Sequence, residues 1–89
     1  MKFPRHLVTG TINWDTLIFA PKLPQAGEEV HIKRMLEVPG GKGANVAIAS
    51  SRILGKSDVA IIGALGKDDI GKKQVNILKG EGVNTDLIY

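Results

Sequence analysis

A glycine-rich turn leads into a predicted helix and reads Gly40-Gly41-Lys42-Gly43-Ala44-Asn45. Its three glycines permit positive φ angles and let backbone amides come close to a ligand. The first turn of a helix adds unpaired N–H donors and a partial positive charge. This combination suits hydroxyl groups or anions, whereas a simple tight turn is the alternative explanation for the glycines.

The spacing of this turn excludes two nucleotide-binding motifs. A Walker A loop requires G-x-x-x-x-G-K-[ST], which does not occur in the sequence. The dinucleotide fingerprint G-x-G-x-x-G would need glycine at Val46, and the turn follows Pro39 rather than the end of the first predicted strand. A ligand at this turn is therefore not held by either of these phosphate-binding motifs.

Three polar side chains accompany the turn. Asn13 and Asp15 lie just past the carboxyl end of the first predicted strand, where open α/β sheets bind ligands. A carboxylate accepts hydrogen bonds from two neighbouring hydroxyls and an amide both donates and accepts, so the pair suits a sugar diol; two Asx turns are the alternative. Lys42 suits a phosphate group, and a solvated loop lysine is equally consistent with the sequence.

Hydrophobic runs and chain-breaking residues predict the elements that position these side chains. The strands are predicted at residues 6–12, 15–20, 28–38 and 59–63 and from residue 85 onward, and the helices at residues 44–54 and from Asp68 or Asp69 to Gly80. The alternation in 28–38 suits a sheet with one solvated face. The first helix carries small and apolar residues almost all round, which predicts burial on most of its surface.

The order of these elements predicts an α/β fold. Strands that alternate with helices imply right-handed parallel crossovers, so the chain is expected to form part of a doubly wound, Rossmann-like sheet with a two-stranded insertion. At 89 residues it is one domain at most. Its few strands would leave apolar faces and a sheet edge uncovered, which predicts further chain or a partner.

Composition narrows the classes of function. The net charge of +3 comes from scattered lysines and arginines beside only four aromatic residues, which does not indicate nucleic-acid binding. The chain has no cysteine, and His6 and His31 are too isolated to bind a metal. The longest apolar stretch, residues 59–65, is far shorter than a membrane helix needs. No membrane contact and a cytoplasmic location are expected.

Four stretches, in this order along the chain, resemble the ribokinase or PfkB family of carbohydrate kinases. They are Thr9-Gly10-Thr11-Ile12-Asn13-Trp14-Asp15, Leu23-Pro24-Gln25-Ala26-Gly27-Glu28, Gly40-Gly41-Lys42-Gly43-Ala44-Asn45-Val46-Ala47 and Gly63-Ala64-Leu65-Gly66-Lys67-Asp68-Asp69-Ile70-Gly71. The resemblance spans the whole chain. It implies that residues 1–89 are the amino-terminal part of a kinase domain, with residues 14–38 as a small β-sheet lid that often forms the contact of a homodimer.

The resemblance also implies a sugar site. Asp15 and Asn13 would hold sugar hydroxyls, while Gly40, Gly41 and Asn45 complete the pocket. Lys42 is added to these substrate-binding candidates, and it favours a sugar or a sugar phosphate because nucleoside-type relatives more often carry a small residue at this position. The implied reaction is phosphorylation of a sugar hydroxyl by ATP. A nucleoside or sugar-phosphate kinase of the same family, or a non-catalytic module for sugar binding or assembly, are the alternatives.

The sequence departs from the family pattern in two respects. The helix at residues 47–55 is one residue longer than the family's usual spacing. The family's Gly-Ala-Gly-Asp signature, which supplies the anion hole and the catalytic Asp, is absent from these 89 residues. We therefore expect no catalytic residue and no metal ligand here, with ATP and Mg²⁺ bound mainly by a carboxy-terminal part, and we expect the segment alone to be inactive.

Overall fold

Strands and helices alternate along residues 3–89, the part of the chain that the computed structural model describes. The elements are β1 (His6–Thr9), β2 (Asn13–Phe19), β3 (Arg34–Gly40), α1 (Lys42–Leu54), β4 (Val59–Ile62) and α2 (Asp69–Gly80). This order confirms the predicted α/β class. Within the described residues, neither helix is long and apolar enough to span a membrane.

β1 and β4 form a parallel pair in which His6 lies opposite Val59. The prediction of a first strand through residue 12 is wrong, because Gly10 leaves the ladder and lies against Gly43 of α1. The chain after α2 runs beside β4 through two isolated parallel bridges, at residues 84 and 88. The predicted last strand is interrupted because the Ile88 amide donates 3.1 Å to the Thr85 carbonyl and so closes a turn.

Both helices pack on one face of this sheet. The buried core combines strand and helix residues, namely Val8, Ala44, Ala47, Val59, Ile61, Leu78 and Val83. Because side chains alternate along a strand, Leu7 and Ile62 point to the opposite face, where they are 56% and 37% exposed. The parallel sheet therefore has one covered face and one apolar face open to solvent.

β2 and β3 form a separate antiparallel ribbon, residues 13–40, paired from Asn13 opposite Gly40 to Phe19 opposite Arg34. The predicted strands at 15–20 and 28–38 are wrong at their boundaries, because residues 28–33 lie beyond the last pair of the ladder. Met35 and Leu36 of β3 point to opposite faces and are 53% and 40% exposed, so the single solvated face expected for residues 28–38 is also wrong. A lid role for residues 14–38 stays a prediction.

α1 is buried on one side only, through Gly43, Ala44, Ala47 and Ser51. Val46 and Ile53 are 49% and 82% exposed, so the prediction of burial on most of its surface is wrong for this chain. α2 begins as predicted, with Asp68 as the N-cap whose Oδ1 accepts a 2.8 Å hydrogen bond from the Gly71 amide.

Arg52 of α1 binds Glu81, the residue that follows α2, through two hydrogen bonds. Its Nε and Nη2 donate to the carboxylate over 2.9 and 2.6 Å. Ser51 Oγ also donates to the Glu81 carbonyl over 2.8 Å. The guanidinium lowers the pKa of Glu81 below its ordinary 4.5, chiefly through these hydrogen bonds, and the carboxylate raises the pKa of Arg52. This contact joins the carboxyl ends of the two helices.

Replacing Arg52 by alanine is expected to lower the free energy of unfolding slightly at neutral pH. Since the folded-state pKa of Glu81 is depressed, the contribution of the pair is present above its ordinary pKa and is lost as the pH falls through the lowered value. Urea unfolding on both sides of pH 4.5 tests this, with Lys73→Ala on an exposed turn of α2 as control. If the difference in the free energy of unfolding between Arg52→Ala and wild type did not shrink in acid, the role of the pair would be contradicted.

Candidate functional site

The base of the ribbon brings the predicted polar residues next to the glycine-rich turn. Asn13 pairs with Gly40, and Asp15 lies two residues further along β2. The Asp15 carboxylate lies directly over Gly40, since a Cβ at Gly40 would overlap Asp15 Oδ2 and lie 2.7 Å from Asp15 Cγ. Only glycine therefore leaves room for the carboxylate in this position.

Gly41 and Gly43 let α1 approach the loop that follows β1. Gly41 has a φ of 100°, and a Cβ there would lie 2.6 Å from the Thr11 carbonyl oxygen and 2.7 Å from the Asn13 amide nitrogen. A Cβ on Gly43 would lie 2.6 Å from the carbonyl carbon of Gly10. These two glycines thus serve close backbone packing within the protein, in addition to any approach to a ligand.

The amino terminus of α1 takes its hydrogen-bond acceptors from Thr11. Gly41 is the N-cap and offers no side chain, so the Lys42 amide donates to Thr11 Oγ1 over 3.2 Å. The Ala44 amide donates to the Thr11 carbonyl over 3.1 Å. Sequence reasoning missed Thr11, because nothing local links a residue before the ribbon to a helix that begins after it.

Lys42 and Asn45 stand three positions apart in the first turn of α1, so they share a face of the helix. Both are exposed, as are Asn13 and Asp15 at the base of β2. Within residues 3–89, no hydrogen bond or ion pair is formed by the side chains of these four residues. Their amide, carboxylate and ammonium groups are therefore available to a ligand.

The structure thus places the six predicted residues on two adjoining segments, which we call the α1 corner. Its members are Asn13, Asp15, Gly40, Gly41, Lys42 and Asn45. They line none of three cavities of about 290, 310 and 700 Å³ found elsewhere in the described structure. Its four polar side chains are exposed in the described structure, so the α1 corner is accessible to a ligand from solvent.

Trp14 lies between the two polar residues of β2 but points to the other face of the ribbon. Its Nε1 donates a 3.0 Å hydrogen bond to Glu37 Oε2 on β3. Since alternate strand residues face opposite ways, this indole cannot stack on a ligand held by Asp15. Trp14 instead joins the two strands of the ribbon.

No group of three His, Asp or Glu side chains in residues 3–89 is arranged to hold a metal ion. The chemistry that this surface can perform is recognition: hydrogen bonding of neighbouring hydroxyls by Asp15 and Asn13, and attraction of an anion by Lys42 and the amino terminus of α1.

Comparison with known proteins decides the family. Residues 5–89 match the family model for pfkB family carbohydrate kinases. The chain belongs to this family. Ribokinase of Bacillus subtilis is 40% identical over 81 residues, which are 91% of this chain and 27% of that protein.

Two solved ribokinases share the fold of this pfkB chain. Ribokinase of Cryptococcus neoformans var. grubii in complex with ADP matches 96% of this chain and 26% of that chain, at 35% identity and a TM-score of 0.83. Arabidopsis thaliana ribokinase complexed with ribose and ATP matches 98% of this chain and 28% of that chain, at 31% identity and a TM-score of 0.77. The predicted partial ribokinase fold is confirmed, and the chain spans roughly a quarter of these relatives.

Proposed function

We propose that the protein to which these residues belong transfers the γ-phosphoryl group of ATP to a hydroxyl of a sugar, and that this chain supplies the sugar-binding face. Membership of the pfkB family supports the class of reaction. The relative from Arabidopsis thaliana, solved with ribose and ATP, supports a pentose as acceptor and ATP as donor.

The observation that carries the proposal is the position of Asp15 beside the glycine-rich turn. The carboxylate lies over Gly40, and the turn leads at once into the first turn of α1. Neighbouring hydroxyls of a sugar at the α1 corner would donate hydrogen bonds to the Asp15 carboxylate. The amides of Asn13 and Asn45 would both donate hydrogen bonds to the sugar and accept them from it. Fixing the acceptor in this way matters for rate, because well-oriented reactants can recover about 7 to 11 kcal/mol of an activation barrier.

The remaining parts of the reaction are assigned to chain outside residues 1–89. The catalytic Asp, the ATP site and Mg²⁺ belong there in this proposal, since the Gly-Ala-Gly-Asp signature is absent from residues 1–89. Residues 14–38 would close over the sugar as a lid and join two subunits of a homodimer. A cytoplasmic location, with no nucleic-acid or membrane partner, completes the proposal.

A sugar phosphate is the second candidate acceptor, and Lys42 favours it. The ammonium is exposed on the first turn of α1, where the partial positive charge of the helix also attracts an anion. A nucleoside kinase and a non-catalytic sugar-binding or assembly module are weaker alternatives. The module would be a stable oligomer that binds sugar without ATP.

Ribose is expected to bind the 89-residue chain at the α1 corner, because the hydrogen-bonding groups there have no other partners within the described residues. NMR titration of the ¹⁵N-labelled chain with D-ribose, fructose 6-phosphate and adenosine, in parallel, tests this. Amide shifts at residues 40–45 and the Asn13 side chain with ribose support the proposal, and shifts with fructose 6-phosphate alone favour the sugar phosphate.

The same preparation also tests whether residues 1–89 alone transfer a phosphoryl group. Incubated with ATP, Mg²⁺ and ribose, the chain alone is expected to release no ADP. ADP release that depended on ribose would contradict the assignment of catalysis to other residues. Absence of shifts at the α1 corner with all three acceptors would contradict the assignment of the sugar-binding face.

A further inference from the structure

Thr11 contacts the start of α1 through both its side chain and its backbone. Its hydroxyl accepts from the Lys42 amide over 3.2 Å, and its carbonyl accepts from the Ala44 amide over 3.1 Å. The two partners lie more than thirty residues further along the chain. Thr11, in the loop that follows β1, therefore provides acceptors for two of the amides that a helix leaves unpaired at its amino terminus.

Thr11 supplies the acceptors that an N-cap side chain cannot provide here: its carbonyl takes the place of that side chain by accepting from the Ala44 amide, and its hydroxyl accepts from the Lys42 amide. Helices usually obtain this acceptor from Ser, Thr, Asp or Asn at the N-cap itself. Here the N-cap is Gly41, which has a φ of 100°. A Cβ at Gly41 would lie 2.6 Å from the Thr11 carbonyl oxygen, so this position excludes any side chain. The acceptor must come from elsewhere in the fold, and Thr11 provides it.

This contact joins the two halves of the α1 corner. Asn13 follows Thr11 by two residues, and Lys42 and Asn45 belong to the helical turn that Thr11 contacts. A Cβ at Gly41 would lie only 2.7 Å from the Asn13 amide nitrogen, so the two segments are nearly in backbone contact. A small shift of α1 along the loop would change the separation between Asn13 and the helix.

We propose that Thr11 is a positioning residue of the sugar site: its hydroxyl fixes the start of α1 relative to the loop that carries Asn13 and Asp15. The consequence for sugar affinity rests on the proposed function. The geometric role does not, because it concerns contacts within the protein alone. Thr11 need not touch the sugar to affect its binding.

Thr11→Val removes the hydroxyl and keeps the side-chain shape, while Thr11→Ser keeps the hydroxyl. Thr16→Val is the matched control, because Thr16 is exposed on β2 and its hydroxyl has no partner among the described residues. Amide hydrogen exchange at Lys42 is expected to be roughly fivefold to tenfold faster in Thr11→Val, the usual effect of one lost hydrogen bond. The Ala44 amide, which bonds the backbone of Thr11, should change less.

Sugar affinity is the second measurement. Thr11→Val is expected to bind D-ribose roughly fivefold more weakly, with Thr11→Ser close to wild type and the urea midpoint close to that of Thr16→Val. Unchanged exchange at Lys42 would overturn the contact, and faster exchange with unchanged ribose affinity would overturn the positioning role.

The two proposals fail in different ways. If the wild-type chain did not bind ribose, the proposed function would fail for this chain. The positioning role of Thr11 would then be tested by nuclear Overhauser contacts between the Asn13 amide and Gly41. Their loss in Thr11→Val and return in Thr11→Ser would support the positioning role, and their persistence in Thr11→Val would overturn it.

Discussion

Gly43→Ala is expected to lower the free energy of unfolding by about 3 kcal/mol or more, which would leave the chain marginally folded. A Cβ at this position would lie 2.6 and 2.8 Å from the carbonyl and α carbons of Gly10, and 2.9 Å from the Thr11 nitrogen. All three contacts are with backbone atoms, so no side-chain rotation can relieve them. The first turn of α1 would have to move away from the loop that follows β1.

Gly80→Ala provides the matched control. Gly80 is the last residue of α2, and a Cβ there would meet nothing within 4 Å. Alanine is the better helix former, so this change is expected to be neutral or to stabilise by about 0.5 to 1 kcal/mol. Urea unfolding followed by circular dichroism measures both variants.

Equal stability of the two variants would contradict the close packing of α1 on Gly10. It would also remove the basis for the geometry of the α1 corner, because the distances from Thr11 and Asn13 to the helix depend on the same contact. If Gly43→Ala is unfolded without urea, the comparison with a folded Gly80→Ala still confirms the expected order of stability.

Local signals in the sequence were enough to predict part of the fold. β4 is a short apolar run, and its core residues Val59 and Ile61 are fully buried. Asp68 caps α2 because a carboxylate in extended backbone just before a helix can reach the amide three residues on. These features depend on neighbours in sequence, which is why they could be identified without the structure.

Features that depend on pairing could not be predicted. Residues 28–33 alternate like a strand, yet they lie outside the ladder because its last pair is Phe19 opposite Arg34. The small residues all round α1 predicted general burial, but within the described residues Val46 and Ile53 have no covering layer. Periodicity records which residues can be buried and does not show whether a partner covers them.

The α1 corner was predictable because each of its parts carries a local signal: a strand end, a glycine-rich turn and a helix start. Their contact was not predictable from spacing, since Asp15 reaches Gly40 only through the register of the ribbon. Thr11 had no signal of its own, because its role arises from an N-cap that must be glycine. The roles of all six residues in binding stay predictions.

Asp15→Ala is expected to weaken ribose binding by roughly 10-fold to 100-fold, which is the usual cost of losing hydrogen bonds to a charged group. The carboxylate can accept from two neighbouring hydroxyls at once, and no other acidic residue belongs to the α1 corner. Asp15→Asn should bind with intermediate affinity, since an amide keeps one acceptor oxygen but replaces the other with a donor. Calorimetric or NMR titration with ribose measures the three affinities.

Stability should change little in the same variants, because Asp15 is exposed and its side chain makes no hydrogen bond within the described residues. Asp86→Asn, an exposed aspartate remote from the α1 corner, is expected to keep wild-type affinity. In a complete kinase that carries this chain, Asp15→Ala should weaken sugar binding far more than ATP binding. Since the carboxylate is the anchor of the proposed sugar site, unchanged ribose affinity in Asp15→Ala would move that site away from the base of the ribbon.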